Sequence, residues 1–349
     1  MTAGWAAGSV RARGLARRRI GAGAARRLAG SRTLADALGL LTGTGYGPGL
    51  RSAVALAGQP GADQRAVLAG AQHAVAATVL WDLRVLAGWL PPGGAQLIRV
   101  LAGWFEIANV DAHLARLAGR PAPDDFTLGA LATAWPAVRR AATTAEVRAA
   151  LARSAWRDPG GGSDSEIRVG LRARWAVRVA DIGGPAADWA ASALAVLLAG
   201  ERFGPGDGGQ ADGGRADGGR ADGGPGDGGR GGQGGGRRDV SPVLHLAAAR
   251  LLGSRAARAG SLAEPADLLP GRIRWVLAPV PAPADLWRAE AAWWERTAAA
   301  ARRMLATGGL DRAPVLGASV VLAADAREVA VALEVAARGG RPEVLDAVA

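Results

Sequence analysis

The chain contains no cysteine, and all 42 of its basic residues are arginine, so lysine is absent as well. Without cysteine there is no disulfide, no thiolate metal site and no cysteine nucleophile. Without lysine there is no Gly-x-x-x-x-Gly-Lys-Ser/Thr phosphate loop, and neither a Gly-x-Ser-x-Gly elbow nor a His-Glu-x-x-His pair occurs. The three histidines, His73, His113 and His245, lie far apart. The longest uncharged run, Ala66 to Leu80 with Trp81, is interrupted by Gln72 and His73. It falls short of the roughly 18–20 apolar residues that span a bilayer. Residues 1–10 lack the charged-then-apolar order of a signal peptide. The expectation is a soluble, cytoplasmic protein with no cofactor, no metal and no catalytic residue.

Acid is also absent from residues 1–35, which carry Arg11, Arg13, Arg17, Arg18, Arg19, Arg26, Arg27 and Arg32. The formal charge of +11 is therefore mostly local. Such a cluster can neutralise the phosphates of nucleic acid or anionic lipid. Only Trp5 lies nearby, so base stacking has little support. Elsewhere the arginine-, alanine- and glycine-rich composition matches a nucleotide-composition bias, and arginine abundance alone carries no functional signal.

What is present is a faint repetition. A Ser/Thr, a short apolar stretch and an aromatic recur as Thr33 to Tyr46, Thr143 to Trp156 and Ser261 to Trp275, spaced by 13, 13 and 14 residues. Long helical stretches follow each copy, which predicts an all-α fold of three related helical units. Residues 9–30 read as one basic helix. Thr33 caps the next, with Leu34, Leu38 and Leu41 on one face before the glycines at 43, 45 and 47. Residues 64–90 and 95–117 read as a hairpin, each arm carrying Arg-Val-Leu-Ala-Gly-Trp, at 84–89 and 99–104. The small residues beside Trp89 and Trp104 predict close approach of the two arms. Helices are predicted over 166–180, 186–202 and 315–338, with Asp285 capping one that carries Trp287, Trp293 and Trp294. Residues 273–277 form the one plausible strand, and the tryptophans are expected in the core.

Residues 1–203 form units one and two, 204–238 an insert, and 239–349 the remainder of one continuous helical fold. Glycine fills 18 of the 35 insert positions, and aspartate recurs every five residues from Asp207 to Asp227. With no apolar residue larger than alanine, nothing offsets its ordering entropy, and a flexible excursion of roughly 30 Å is expected. Its period is not the nine-residue repeat of a calcium-binding β-roll.

Three constellations invite chemistry. Gly43-Thr44-Gly45-Tyr46-Gly47 resembles a dinucleotide loop, but a helix rather than a strand precedes it, and Pro48 follows. Glu106, Asn109 and His113 fall on one helical stripe with Arg116 and Arg120, yet supply only one strong nitrogen ligand, too few for a zinc site. The stripe reads as a solvated or interhelical polar face, able to receive a partner helix. Asp325, Glu328 and Leu333 repeat the spacing of Glu106, Asn109 and Leu114.

These residues resemble the V/A-type ATPase C-subunit family, whose eukaryotic members are called d-subunits. Trp5-Ala6-Ala7-Gly8-Ser9-Val10-Arg11-Ala12-Arg13 is similar to that family's aromatic, small-residue and Val-Arg-x-(Arg/Lys) opening. Thr33 to Gly47 resembles its Ser-Leu-x-x-Leu…Leu-x-x-Thr-x-Tyr-Gly segment. Trp104 to Arg120 resembles its acidic-x-x-Asn-(Leu/Val) helix. Trp5 stands where tyrosine is usual, Trp156 replaces a second Tyr-Gly, and 204–238 has no counterpart. The resemblance implies a pseudo-threefold helical funnel without a catalytic site. It also implies a central-stalk adaptor between the rotor shaft and the membrane ring of a rotary ATPase, coupling ATP hydrolysis or synthesis to proton or ion transport at the inner face of the membrane. The candidate partner contacts are Arg11, Arg13, Arg17, Arg18, Arg19, Glu106, Asn109 and His113. The alternative is a basic helical module that binds nucleic acid or an anionic membrane surface through residues 9–32.

Overall fold

The computed structural model describes residues 3–204 and 238–343. Among these residues every regular element is helical and no strand occurs. The described residues open with α1 (Ala3–Ala16), α2 (Gly21–Ala29), α3 (Leu34–Thr42), α4 (Arg51–Ala57), α5 (Gln64–Gly88), α6 (Pro92–Leu101) and α7 (Gly103–Leu117). There follow a single turn α8 (Trp135–Val138), α9 (Thr144–Ala152), α10 (Asp164–Ala180), α11 (Pro185–Phe203) and α12 (Pro242–Leu251). The chain ends with α13 (Ala263–Leu268), α14 (Leu286–Ala306) and α15 (Arg312–Ala337).

Local chemistry sets most of these boundaries. The Thr33 and Thr143 hydroxyls accept the Asp36 and Glu146 amides, closing the starts of α3 and α9. Ser163 and Glu166 form a reciprocal capping box on α10. Gly183 and Gly184 take positive φ, which only glycine adopts cheaply, and Pro185 then opens α11. Leu34, Leu38 and Leu41 are buried together, each contributing about 1.5–3 kcal/mol.

The predicted basic helix is two helices. It breaks at 17–20, where Gly21 takes φ +73° and its amide meets a carboxylate from the far end of the chain. The second hairpin arm also breaks, at Ala102 between α6 and α7. The glycines beside the two tryptophans do not bring the arms together: Gly103 packs instead under Trp175 of α10 and Trp156, where a Cβ would lie 3.0 and 3.1 Å away. Gly88 faces open space and Trp89 is exposed. The predicted strand at 273–277 is instead a 3₁₀ turn, Arg274–Val276, with Ile273 and Val276 buried and no neighbouring strand to pair with. Asp285 makes no cap hydrogen bond; its carboxylate pairs with Arg288 at 3.2 Å. Trp135, Trp156 and Trp189 are buried, whereas Trp81, Trp89 and Trp287 are exposed, so the tryptophans are only partly core.

Helix α15 is central. It buries residues on nearly all sides, from Val315 and Leu316 through Ala326 to Leu333 and Ala336, and packs on α1, α2, α5 and α14. Helix α15 thus lies against α1 and α2. Helix α5 is long and apolar enough in composition to cross a membrane, and it packs on α1, α4, α6 and α15.

The insert expectation falls on residues outside the described set, except at its ends. There the Arg238 amide donates to the Arg202 carbonyl at 3.2 Å, so the chain returns where it left. Deleting 205–237 and bridging the ends with a short glycine linker is expected to change the melting temperature by less than about 5 °C, or on the order of 1–2 kcal/mol. Calorimetry of the two chains checks this.

Candidate functional site

The polar stripe on α7 faces inward. Glu106 and Asn109 are each 1 % exposed, so they are corrected as candidate partner contacts: both are spent on the chain itself. One Glu106 oxygen accepts the Thr133, Ala134 and Trp135 amides at 3.0, 2.5 and 2.6 Å. The other accepts the Trp156 indole N–H at 2.9 Å. Asn109 accepts the Phe126 amide and donates to the Phe126 carbonyl, at 2.7 and 2.9 Å. The His113 Nε2–H donates to the Ala141 carbonyl at 2.9 Å, because a carbonyl can only accept. Arg116 continues the row with the Pro123 carbonyl and the Asp125 carboxylate. The stripe is a clamp that fixes the segment 121–142, which includes the short α8, against α7. Arg178, over the Trp156 ring at 4.7 Å, supplies a nearby cation. Burial lowers its pKa and the Glu106 charge opposes that shift.

The same device stands at the chain's closure. Asp325 on α15 is buried and accepts the Ile20 and Gly21 amides at 3.1 and 2.8 Å and the Tyr46 hydroxyl at 2.8 Å. Burial, reinforced by Asp325, holds the Tyr46 phenol far above its ordinary pKa, so it stays a donor. In both places a buried acid on a long helix takes the amides at the start of a short helix, α2 or α8. In both it also takes an aromatic N–H or O–H 13 residues after a capping threonine. Gly47, beside Tyr46, lets the chain turn tightly over the end of α3, since a Cβ there would lie 2.1 Å from the Thr42 carbonyl oxygen. Glu328, one turn on, has its pKa raised by burial and by Asp325, with Arg302, Arg327 and Arg19 opposing.

The N-terminal arginines separate. Arg13 donates to the Leu305, Thr307 and Gly309 carbonyls, at 3.3, 2.6 and 2.7 Å, and so closes the C-terminus of α14. Arg18 pairs with Asp82 at 3.6 Å, and Arg19 donates to the Ala16 carbonyl. Burial raises the Asp82 pKa; Arg18 and Arg11 oppose it. Arg11 and Arg17 are exposed. The structure therefore brings Glu106, Asn109 and His113 together but not with the arginine cluster, and Arg13 acts inside the fold.

Sequence reasoning missed that the stripe clamps 121–142 and that Arg13 caps a helix end 292 or more residues away; neither has a local signal. The Asp325 role had one, its spacing match to Glu106. Among the described residues no three His, Asp or Glu side chains converge as a metal site would require. No protein-family model and no curated protein matches the chain.

Proposed function

We propose that this chain is a non-catalytic central-stalk adaptor of a V/A-type rotary ATPase, with three related helical units arranged as a funnel. It would join the rotor shaft to the membrane ring, peripheral to the inner face of the membrane, without a cofactor or small-molecule substrate. The observation that carries the reading is the duplicated acid clamp. Glu106 with Trp156, and Asp325 with Tyr46, make the same arrangement twice. Glu106 and Tyr46 lie in segments that resemble the stalk-adaptor family, Asp325 repeats the Glu106 spacing, and Trp156 stands where that family has a second Tyr-Gly. A resemblance arising from composition alone would fall on surface positions as often as on these buried ones. A protein whose buried polar groups are spent on joining its own segments is organised as a scaffold.

Co-purification tests the function. Tagged protein expressed in its own cells should carry shaft or ring components of a rotary ATPase; recovery of neither under gentle solubilisation overturns the adaptor role and leaves the fold untouched.

A further inference from the structure

The acid clamp occurs at two of the three junctions, and the third is built differently. The register can be counted from the carbonyls. His113 reaches the carbonyl of Ala141, two residues before Thr143. On α11, the Arg202 guanidinium reaches the carbonyl of Ala259, two residues before Ser261, at 3.1 Å. Glu106 lies seven residues before His113, and the residue seven before Arg202 is Ala195. Asn109 corresponds in the same way to Leu198. Where the other junctions hold a carboxylate, this one has a methyl group.

The surroundings agree with that substitution. Ala195, Leu198 and Arg202 face Leu252, Ala256 and Leu277 across a small, partly open gap of about 10 Å³. The gap is almost wholly apolar. The short helical turn that should offer its amides to an acid is Ala256–Arg258, and the residues leading into it, Gly253, Ser254 and Arg255, are exposed. The third aromatic has turned away too. The Trp275 indole donates to the Arg272 carbonyl of its own turn at 3.1 Å, and its ring lies under Arg296 at 4.4 Å. Arg202 itself can only donate, so it cannot gather amides as Glu106 and Asp325 do. Arg202 on the Ala259 carbonyl and the half-exposed Asp188–Arg272 ion pair tie this segment to α11, but Ala195 offers no buried carboxylate to gather its amides. An exposed pair contributes little, and a junction held mainly by apolar contact opens locally at lower free energy than one with a buried multi-amide clamp.

We propose that the α11 junction is the one that opens: residues 252–277 come away from α11 as a unit while the Glu106 and Asp325 junctions stay closed. This would let one part of the chain move while the two latched junctions keep its remainder intact. The inference uses the correspondence among the three junctions but not the rotary-motor reading, so a failed co-purification would leave it standing.

The absence of cysteine makes a direct test possible, because any introduced thiol is the only one in the chain. Ala37, Ala150 and Ala257 are all buried, one beside each junction. In separate full-length variants A37C, A150C and A257C, an aromatic disulfide reagent reports how often each site opens. The A257C thiol is expected to react at least about tenfold faster than the other two. Equal rates, or a slower A257C thiol, overturn the proposal. If a variant fails to fold, amide hydrogen exchange on the unaltered chain decides: the amides of Ala257 and Val276 should exchange before those of Ala37 and Val147, and any other order overturns it.

Discussion

Replacing Glu106 with alanine is expected to lower the unfolding free energy by about 3–5 kcal/mol, the loss typical of removing one side of a buried charged network. The carboxylate is 1 % exposed and holds three consecutive amides and one indole. Alanine strands all of these donors, each costing about 1–3 kcal/mol if it stays dry, and water entering the vacated space recovers part of that. It also leaves Arg178 half-buried over Trp156 without its nearby anion. Glutamine at the same position keeps the volume and one acceptor oxygen, but turns an N–H₂ group toward N–H groups. A smaller loss, about 2–3 kcal/mol, follows from the same hydrogen-bond costs. Urea unfolding followed by far-ultraviolet circular dichroism measures both. An alanine variant within about 1 kcal/mol of the parent, below the cost of stranding even a few donors, would show that the clamp is ornamental. The ordering alanine, glutamine, parent is what separates a lost acceptor from a lost side-chain volume.

The parts of the fold legible in the sequence are those fixed by neighbours in the chain. Thr33 and Thr143 cap helices because their hydroxyls need only the amide three residues on. Gly183-Gly184-Pro185 separates α10 from α11 because positive φ and a missing N–H are local properties. What could not be read was decided by distant residues. Residues 9–30 favour a continuous helix until Asp325 takes the Ile20 and Gly21 amides. Residues 273–277 are rich in the β-branched and aromatic residues that strands favour, but a strand needs a partner, and here Ile273 and Val276 find their apolar contacts in a 3₁₀ turn.

The stripe of Glu106, Asn109 and His113 was visible as a stripe; its direction was not. A polar face of period 3.6 looks the same whether it meets water or an irregular segment rich in unpaired backbone groups. Residues 121–134, which precede α8, are such a segment, with backbone bonds within them from the Leu131 and Ala132 amides, and α7 supplies partners for Phe126, Thr133 and Ala134. The spacing match between Glu106 and Asp325 was the one sequence signal that reached across the fold. It became informative once both acids proved to perform the same task.

That equivalence gives the second large effect. Asp325→Ala is expected to cost about 3–5 kcal/mol, since it strands the Ile20 and Gly21 amides and the Tyr46 hydroxyl together. Tyr46→Phe removes only one donor and leaves Asp325 with its two amides, so about 1–2 kcal/mol is expected. In the Asp325→Ala background the same Tyr46→Phe change should cost little, or even stabilise, because it removes a hydroxyl already stranded. The double-mutant cycle should therefore return a coupling of about 1–2 kcal/mol. Tyr46 and Asp325 stand 279 residues apart in sequence, so this coupling measures how firmly α15 closes onto the α2–α3 region. Additive losses would mean that α15 is held by its apolar packing alone. A clear coupling here, with the loss at Glu106, would make the two acids energetic as well as geometric equivalents. The Ala195 junction would then differ from both by the loss of a latch that the rest of the chain still depends on.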